Sequence, residues 1–330
     1  MTRTASLLLT LGALLFAGVL LSQGLPAIIA TLARAGWGLL LVAGYHLLPL
    51  LLDAAAIGVL FDKGLRRDSL RDSVLARWVG ESANSLMPAG QLGGPVLMVL
   101  HLVQRGFSTA DAAAAITVST TLQTFAQIVF ALLGVVLLGT LSDHFGQHDL
   151  HTTALIASGF LAVQVAGFYL IQRRGLFGKL MWAVRRFSGK RDWSQWQNQA
   201  QMIDDAVFRT YRRSGPVMAS FLLSLVGWIV GTAEVYLIAL MLGAPVSWTN
   251  ALLLESLGQA IRGAGFAIPG ALGVQEAGYL LLGPLAGLAA EAALALSLAK
   301  RTRELLLGVP GLIYLRYASR PSSVLIARSP

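Results

Sequence analysis

The chain contains no cysteine, which excludes disulfides, thiolate nucleophiles, cysteine zinc sites and iron–sulfur clusters together. It is also poor in charge: 12% of its 330 residues are charged, where an ordinary soluble domain has about 25%. A third absence is any polar stretch long enough to form a separate soluble unit. Apolar residues make up 55% of the sequence and recur in runs from Leu7 to Leu315. Water is therefore the wrong solvent for most of this surface. The expected fold is all-α, a single polytopic membrane domain over residues 1–330. His-Glu-x-x-His, Gly-x-Ser-x-Gly and phosphate-loop patterns are missing as well, so the residues point away from an enzyme and call for no cofactor and no metal.

A hydrocarbon layer about 30 Å thick needs roughly 20 mainly apolar helical residues. Six runs meet that length, at 5–22, 37–60, 111–139, 152–172, 215–242 and 288–318. The first ends in Leu21-Ser22-Gln23-Gly24 without a small-x-small cleavage site, which favours a retained anchor over a signal peptide. Positive residues stay cytoplasmic, and they are concentrated. Residues 173–213 hold ten Lys and Arg against Asp192, Asp204 and Asp205, or +7 of the formal +9. Lys63, Arg66, Arg67 and Arg71 follow the second run, and Arg316, Arg320 and Arg328 follow the last. Loops 140–151 and 243–250 carry no Lys or Arg. Six crossings with both termini cytoplasmic satisfy all of these positions. Within 173–213, Leu176, Phe177, Leu180, Met181, Trp182 and Val184 alternate with cations, as in a helix lying on anionic headgroups. A solvated linker whose aromatics pack on the bundle is the alternative, and a nucleic-acid surface is not favoured.

Two further segments, 74–104 and 251–286, are apolar enough to enter a membrane but are interrupted by proline and glycine. The first contains Pro88 and Gly90, the second Pro269 and Gly270. Proline removes a backbone donor and glycine loosens the chain, so neither segment stays hydrogen-bonded as one straight helix. Broken backbone at membrane depth persists only inside protein or along a wet cavity, and both segments are expected to form re-entrant helical hairpins. Aligning Pro88 with Pro269 sets Glu81 and Arg262 each seven residues upstream. This suggests an inverted repeat, whose interface is where transporters hold substrate; chance recurrence of Pro and Gly is the alternative.

Charged groups in hydrocarbon are expensive and usually face an interior or a wet cavity. Glu81, Asn84, Gln91, Glu234, Glu255, Gln259, Arg262, Gln275, Glu276 and Glu291 lie in or near the apolar runs, and Lys300-Arg301-Thr302-Arg303-Glu304 sits mid-way along the last. Either that run is one span with buried cations, the favoured reading, or it is two short helices around a wet turn. Arg301 or Arg303 is expected to face Glu255, Glu276 or Glu304. Thr117, Thr120, Thr121, Thr124 and Gln127 recur at helical spacing, either lining a path or bonding neighbouring helices. His144, His148 and His151 suggest a metal at first sight, yet a plain outer loop explains them better. His46 and His101, each alone among apolar neighbours, read as structural.

The pattern at 81–88 (Glu-Ser-Ala-Asn-Ser-Leu-Met-Pro), the Gly93-Gly94 step, Glu255 to Ala260, Pro-Gly-Ala-Leu-Gly-Val-Gln-Glu at 269–276 and the Ala299–Gly311 run resemble the lysylphosphatidylglycerol synthase transmembrane-region, or flippase-like, family. Within it the chain looks closest to the hopanoid-biosynthesis-associated membrane proteins. The resemblance implies a lipid translocase of the bacterial inner membrane, acting on a hopanoid or an anionic phospholipid, without the soluble aminoacyl-transferase domain of bifunctional relatives. One departure is Pro95, where similar members often have an acidic residue after the paired glycines. On this reading Arg262, Arg301 and Arg303 contact an anionic head, Glu255 and Glu276 position them, and Glu81, Asn84, Gln91, Gln259 and Gln275 line the path. A non-transporting scaffold for lipid-biosynthetic enzymes, docked through 173–213, is the rival; a headgroup transferase is the third reading. An oligomer is left open.

Overall fold

Runs of Leu, Ala and Val satisfy their own backbone only as helices when no water is at hand, and the described chain is helical wherever it is regular. The computed structural model describes residues 25–61, 69–87, 93–142, 194–265 and 268–318, with isolated positions between 159 and 178. Its helices are α1 (Leu25–Ala35), α2 (Gly38–Tyr45), α3 (Leu47–Gly58), α4 (Ser69–Leu86), α5 (Gly93–Gln104) and α6 (Thr109–Ser142). They continue with α7 (Ser194–Arg212), α8 (Ser214–Met241), α9 (Trp248–Ala264), α10 (Val274–Leu282) and α11 (Ala290–Ala318).

Among the described residues, three helices are long and apolar enough to cross a membrane: Gly38–Gly58 (α2 with α3), Thr109–Gly139 and Ser214–Met241. The expected spans 5–22 and 152–172 lie outside the described residues or nearly so, as do the loop histidines 144, 148 and 151 and most of 173–193. The run 288–318 does not divide around its charges. It forms the single helix α11, which continues through Pro310.

Polarity is arranged inside out. Leu47, Leu48 and Leu51 on α3, Leu132, Leu133 and Val136 on α6, and Met218, Leu222 and Val226 on α8 are exposed. Buried positions include Asp72, Ser82, Ser220, Thr232, Glu234, Glu255, Glu276, Lys300, Arg303 and Glu304. Two apolar clusters flank this polar interior. One joins Val42, Val235, Ile238, Leu253, Leu254, Tyr279 and Leu296; the other joins Ile57, Phe61, Met98, Leu102, Phe107 and Ile116.

Both interrupted segments are helix–break–helix. In the first, α4 packs on α5, and the approach is close because Gly94 has no side chain. A Cβ there would lie 2.5 Å from the carbonyl oxygen of Gly80. In the second, α9 ends at Ala264, a 3-10 turn runs from Pro269 to Ala271, and α10 starts at Val274. The 12 residues of α5 rise about 18 Å and the 9 of α10 about 14 Å, well short of a hydrocarbon layer about 30 Å thick.

Candidate functional site

The octapeptide at 269–276 folds as its composition dictates. Gly270 has φ +60 and Gly273 φ +78, with Ala271 between them at φ +49; two glycines thus carry a left-handed turn that side chains resist. Glu276 then closes the start of α10 by accepting from the Gly273 N–H at 2.8 Å. Gln275 and Glu276 are thereby turned into the interior, where both are buried. Gly270 also meets the first segment: a Cβ on it would lie 3.0 Å from the carbonyl oxygen of Ser85, on α4. The 269–271 turn of the second segment therefore packs on the end of the helix that leads into the first break. Pro88, Gly90 and Gln91 lie outside the described residues.

Charges from distant parts of the chain pair around a cavity of about 240 Å³ beside this junction. On α9, Glu255 accepts from Lys300 Nζ at 2.5 Å, from Gln259 at 2.8 Å and from the Tyr279 hydroxyl at 3.3 Å. Arg262 donates to Gln275 Oε1 at 2.8 Å and also to Glu304. Arg301 is fully engaged as a clamp. It donates to Glu276 at 3.0 Å, to Glu304 at 3.1 Å, and to the carbonyls of Gly270 at 2.5 Å and Ala271 at 3.1 Å. Ser297 completes this corner by donating to Glu276 at 3.2 Å while accepting from Gln275 at 3.0 Å. Arg303 faces the other way, with Nε 3.3 Å from Glu234 Oε1 and Nη2 3.6 Å from Glu304.

Sequence reasoning missed the other half of the network. His46, expected to be an isolated structural residue, is instead held between two carboxylates, with Nδ1 2.7 Å from Glu234 and Nε2 2.7 Å from Glu81. Its neighbours along the chain are apolar, but its partners lie 35 and 188 residues away. Asp53 accepts from Arg77 and from Gln123 Nε2, each at 2.6 Å, and Arg77 also donates to Gln123 Oε1 at 3.2 Å. The signal available was a lone Asp inside the apolar run 37–60. The cavity wall itself comprises His46, Asp53, Arg77, Glu81, Asn84, Gln123, Glu234, Glu255, Gln259, Arg262, Lys300, Arg303 and Glu304, with Thr120, Thr124 and Gln127 from α6.

The candidate residues thus fall into separate roles. Glu81, Asn84, Glu255, Gln259, Arg262 and Arg303 line the cavity. Gln275, Glu276 and Arg301 stand behind the wall, fixing the second break. Asn84 accepts from the Gly94 N–H at 2.9 Å and so ties α4 to α5. The threonine stripe serves its own helix in part, since Thr121 and Thr124 donate to carbonyls four residues back, at 2.8 Å each. Each cation of the network faces a carboxylate: Arg77 with Asp53, Arg262 with Glu304, Lys300 with Glu255, Arg301 with Glu276 and Arg303 with Glu234. In a low-dielectric interior such pairs persist only together, because removing one partner strands a buried charge.

A second cleft, about 320 Å³, lies at the α7–α8 junction and is lined by Leu60, Phe61, Asp111, Arg209, Arg212 and Arg213 among others. Arg213 there donates to the carbonyls of Leu60 at 2.9 Å and Phe61 at 3.4 Å. This cleft is a basic face on the protein exterior, whereas the smaller cavity is walled by buried charge from five helices and the residue between α2 and α3. The buried one is the candidate site. No curated protein and no solved structure matches the chain. The family model described as lysylphosphatidylglycerol synthase TM region matches residues 4–311, and the chain belongs to that family of membrane proteins.

Proposed function

We propose that the chain is a lipid translocase of the bacterial inner membrane, with both termini cytoplasmic and two re-entrant hairpins that dip from opposite faces. The observation that carries this reading is the polar cavity lined by helices of the two interrupted segments, inside a bundle whose outer surface is apolar. A bare polar head loses several kcal/mol in hydrocarbon without partners. A wall of donors and acceptors lowers that barrier for the head, while the acyl or polycyclic tail stays in the bilayer. The volume, about 240 Å³, is many times what a single water needs, so the space can receive a polar head.

The substrate class is an amphiphile with a compact polar head, a hopanoid or an anionic phospholipid. Because every network cation is paired, an anionic head enters by taking the place of a carboxylate. Glu81 is the most exposed of these, with a side chain 26% accessible against 15% for Asp53 and 3% for Glu234. Arg209, Arg212 and Arg213 at the outer cleft would rest on anionic headgroups. The test is leaflet exchange in liposomes containing the purified chain and headgroup-labelled lipids. Exchange that is slowed by Arg303→Gln supports transport. A folded, inserted protein that exchanges no phospholipid or hopanoid favours the scaffold, since α7 also presents Met202 and Phe208 outward as a docking face for biosynthetic enzymes.

A further inference from the structure

Besides carboxylates, arginines and a lysine, the network holds one imidazole, the side chain whose ordinary pKa lies nearest neutrality. Asp53, Glu81, Glu234, Glu255, Glu276 and Glu304 stand against Arg77, Arg262, Lys300, Arg301 and Arg303, leaving one carboxylate over. The remaining group is His46, and as imidazolium it closes the difference.

The hydrogen bonds around the ring fit two states rather than one. Ionised carboxylates only accept, so Glu81 at Nε2 and Glu234 at Nδ1, each at 2.7 Å, are both served only when both ring nitrogens carry hydrogen. Arg303 Nη1 lies against both ring nitrogens, so its charge sits beside the imidazole. Neutral imidazole has one N–H and one acceptor. Its N–H at Nδ1 would keep Glu234, and its bare Nε2 would have no hydrogen to give Glu81, which would be released. Glu81 is the partner that opens on the cavity, with a side chain 26% accessible, whereas Glu234 is 3% accessible.

We propose that His46 is the proton-binding site of the translocator and that lipid movement is coupled to a proton exchanged there. The Nε2–H bond breaks and its proton passes to the Glu81 carboxylate, then to cavity water. The electron pair stays on Nε2, and Glu81, no longer held by an N–H, swings free and leaves its place to the anionic lipid head. The return step reverses each of these. The charges that face the ring fix its setting from each side: Glu81 and Arg77 on α4, Asp53 on α3, Glu234 on α8. Arg303, with Lys300 and Glu304 beside it, comes from α11, and Glu255 from α9; α6 contributes only Gln123, Gln127 and threonines. The coupling rests on the translocase reading; the proton site does not.

The test separates the two. Purified protein in detergent is stepped between acid and alkaline pH while released protons are counted with a dye and ring and carboxylate bands are followed by infrared difference spectroscopy. Wild type is expected to release one proton more than His46→Gln, and the band with both an imidazole and a carboxylate signature should vanish in His46→Gln and persist in His101→Gln. Release unchanged in His46→Gln, in protein that still elutes as a folded species, overturns the site. Glu81→Gln, which keeps the ring, should lose the carboxylate band alone. In liposomes, a one-unit pH step weights a single coupled proton by a factor of about ten, so lipid distribution should shift up to tenfold in wild type and not in His46→Gln. Exchange indifferent to the pH gradient overturns the coupling. No exchange of any lipid sinks the translocase reading, while proton release still decides His46.

Discussion

The two interrupted segments obey one local rule and are secured by different means. Each carries proline and glycine between its two helices, residues that remove donors and stiffness. In the second, Arg301 grips the carbonyls of Gly270 and Ala271 and is itself held by Glu276 and Glu304. In the first, a neutral amide contact, Gly94 N–H to Asn84, joins the helices flanking the break. The contrast suggests a fixed half and an adjustable half. Charge anchors the second segment against α11, while α4, which carries Glu81 and Arg77, meets the helix beyond its break through the Asn84 amide and close packing at Gly80 and Gly94.

Substitutions on each side sharpen that contrast, and the charged half should respond most. Arg301→Gln leaves Glu276, fully buried, without its cation and frees two carbonyls; a loss of about 3–5 kcal/mol is expected, read as a large drop in melting temperature in detergent. Lys300→Met strands Glu255 in the same way, and the double variant Lys300→Met with Glu255→Leu should recover most of the stability, since similar-sized apolar groups then fill the site. Equal melting of single and double variants would break the pairing argument. Gly94→Ala should cost about 1–3 kcal/mol by overpacking, because its Cβ would meet Gly80 and Asn84 at 2.5 Å. Asn84→Ala is the mildest, about 1 kcal/mol for one hydrogen bond. If Asn84→Ala destabilises as much as Arg301→Gln, the division into fixed and adjustable halves is wrong.

The sequence made some of this legible and hid the rest for a physical reason. Pro88, Pro269 and the glycines around them act within a few residues, so the helix boundaries at Ala264 and Val274 follow from local chemistry. The cations at 300–303 were equally visible, because charge inside an apolar run stands out against its neighbours. Which carboxylate each cation meets was not, since Lys300 and Glu255 are 45 residues apart and no periodicity encodes that distance. His46 is the clearest case. Its flanks, Tyr45 and Leu47, belong to an apolar helix, and only folding brings Glu81 and Glu234 to its two nitrogens. Arg301 shows the converse: its sequence position suggested headgroup contact, whereas its hydrogen bonds are spent on the second break.

Gly231 offers the most direct test of the cavity as a lipid route. It lines the cavity on α8, and the nearest atom to a Cβ placed there is Glu255 Oε1 at 3.9 Å, so a large side chain can enter the space without removing any charge. Leaflet exchange of a headgroup-labelled phospholipid should be abolished in Gly231→Trp, with the protein folded and inserted as before. Exchange at the wild-type rate through a cavity so filled would contradict the account.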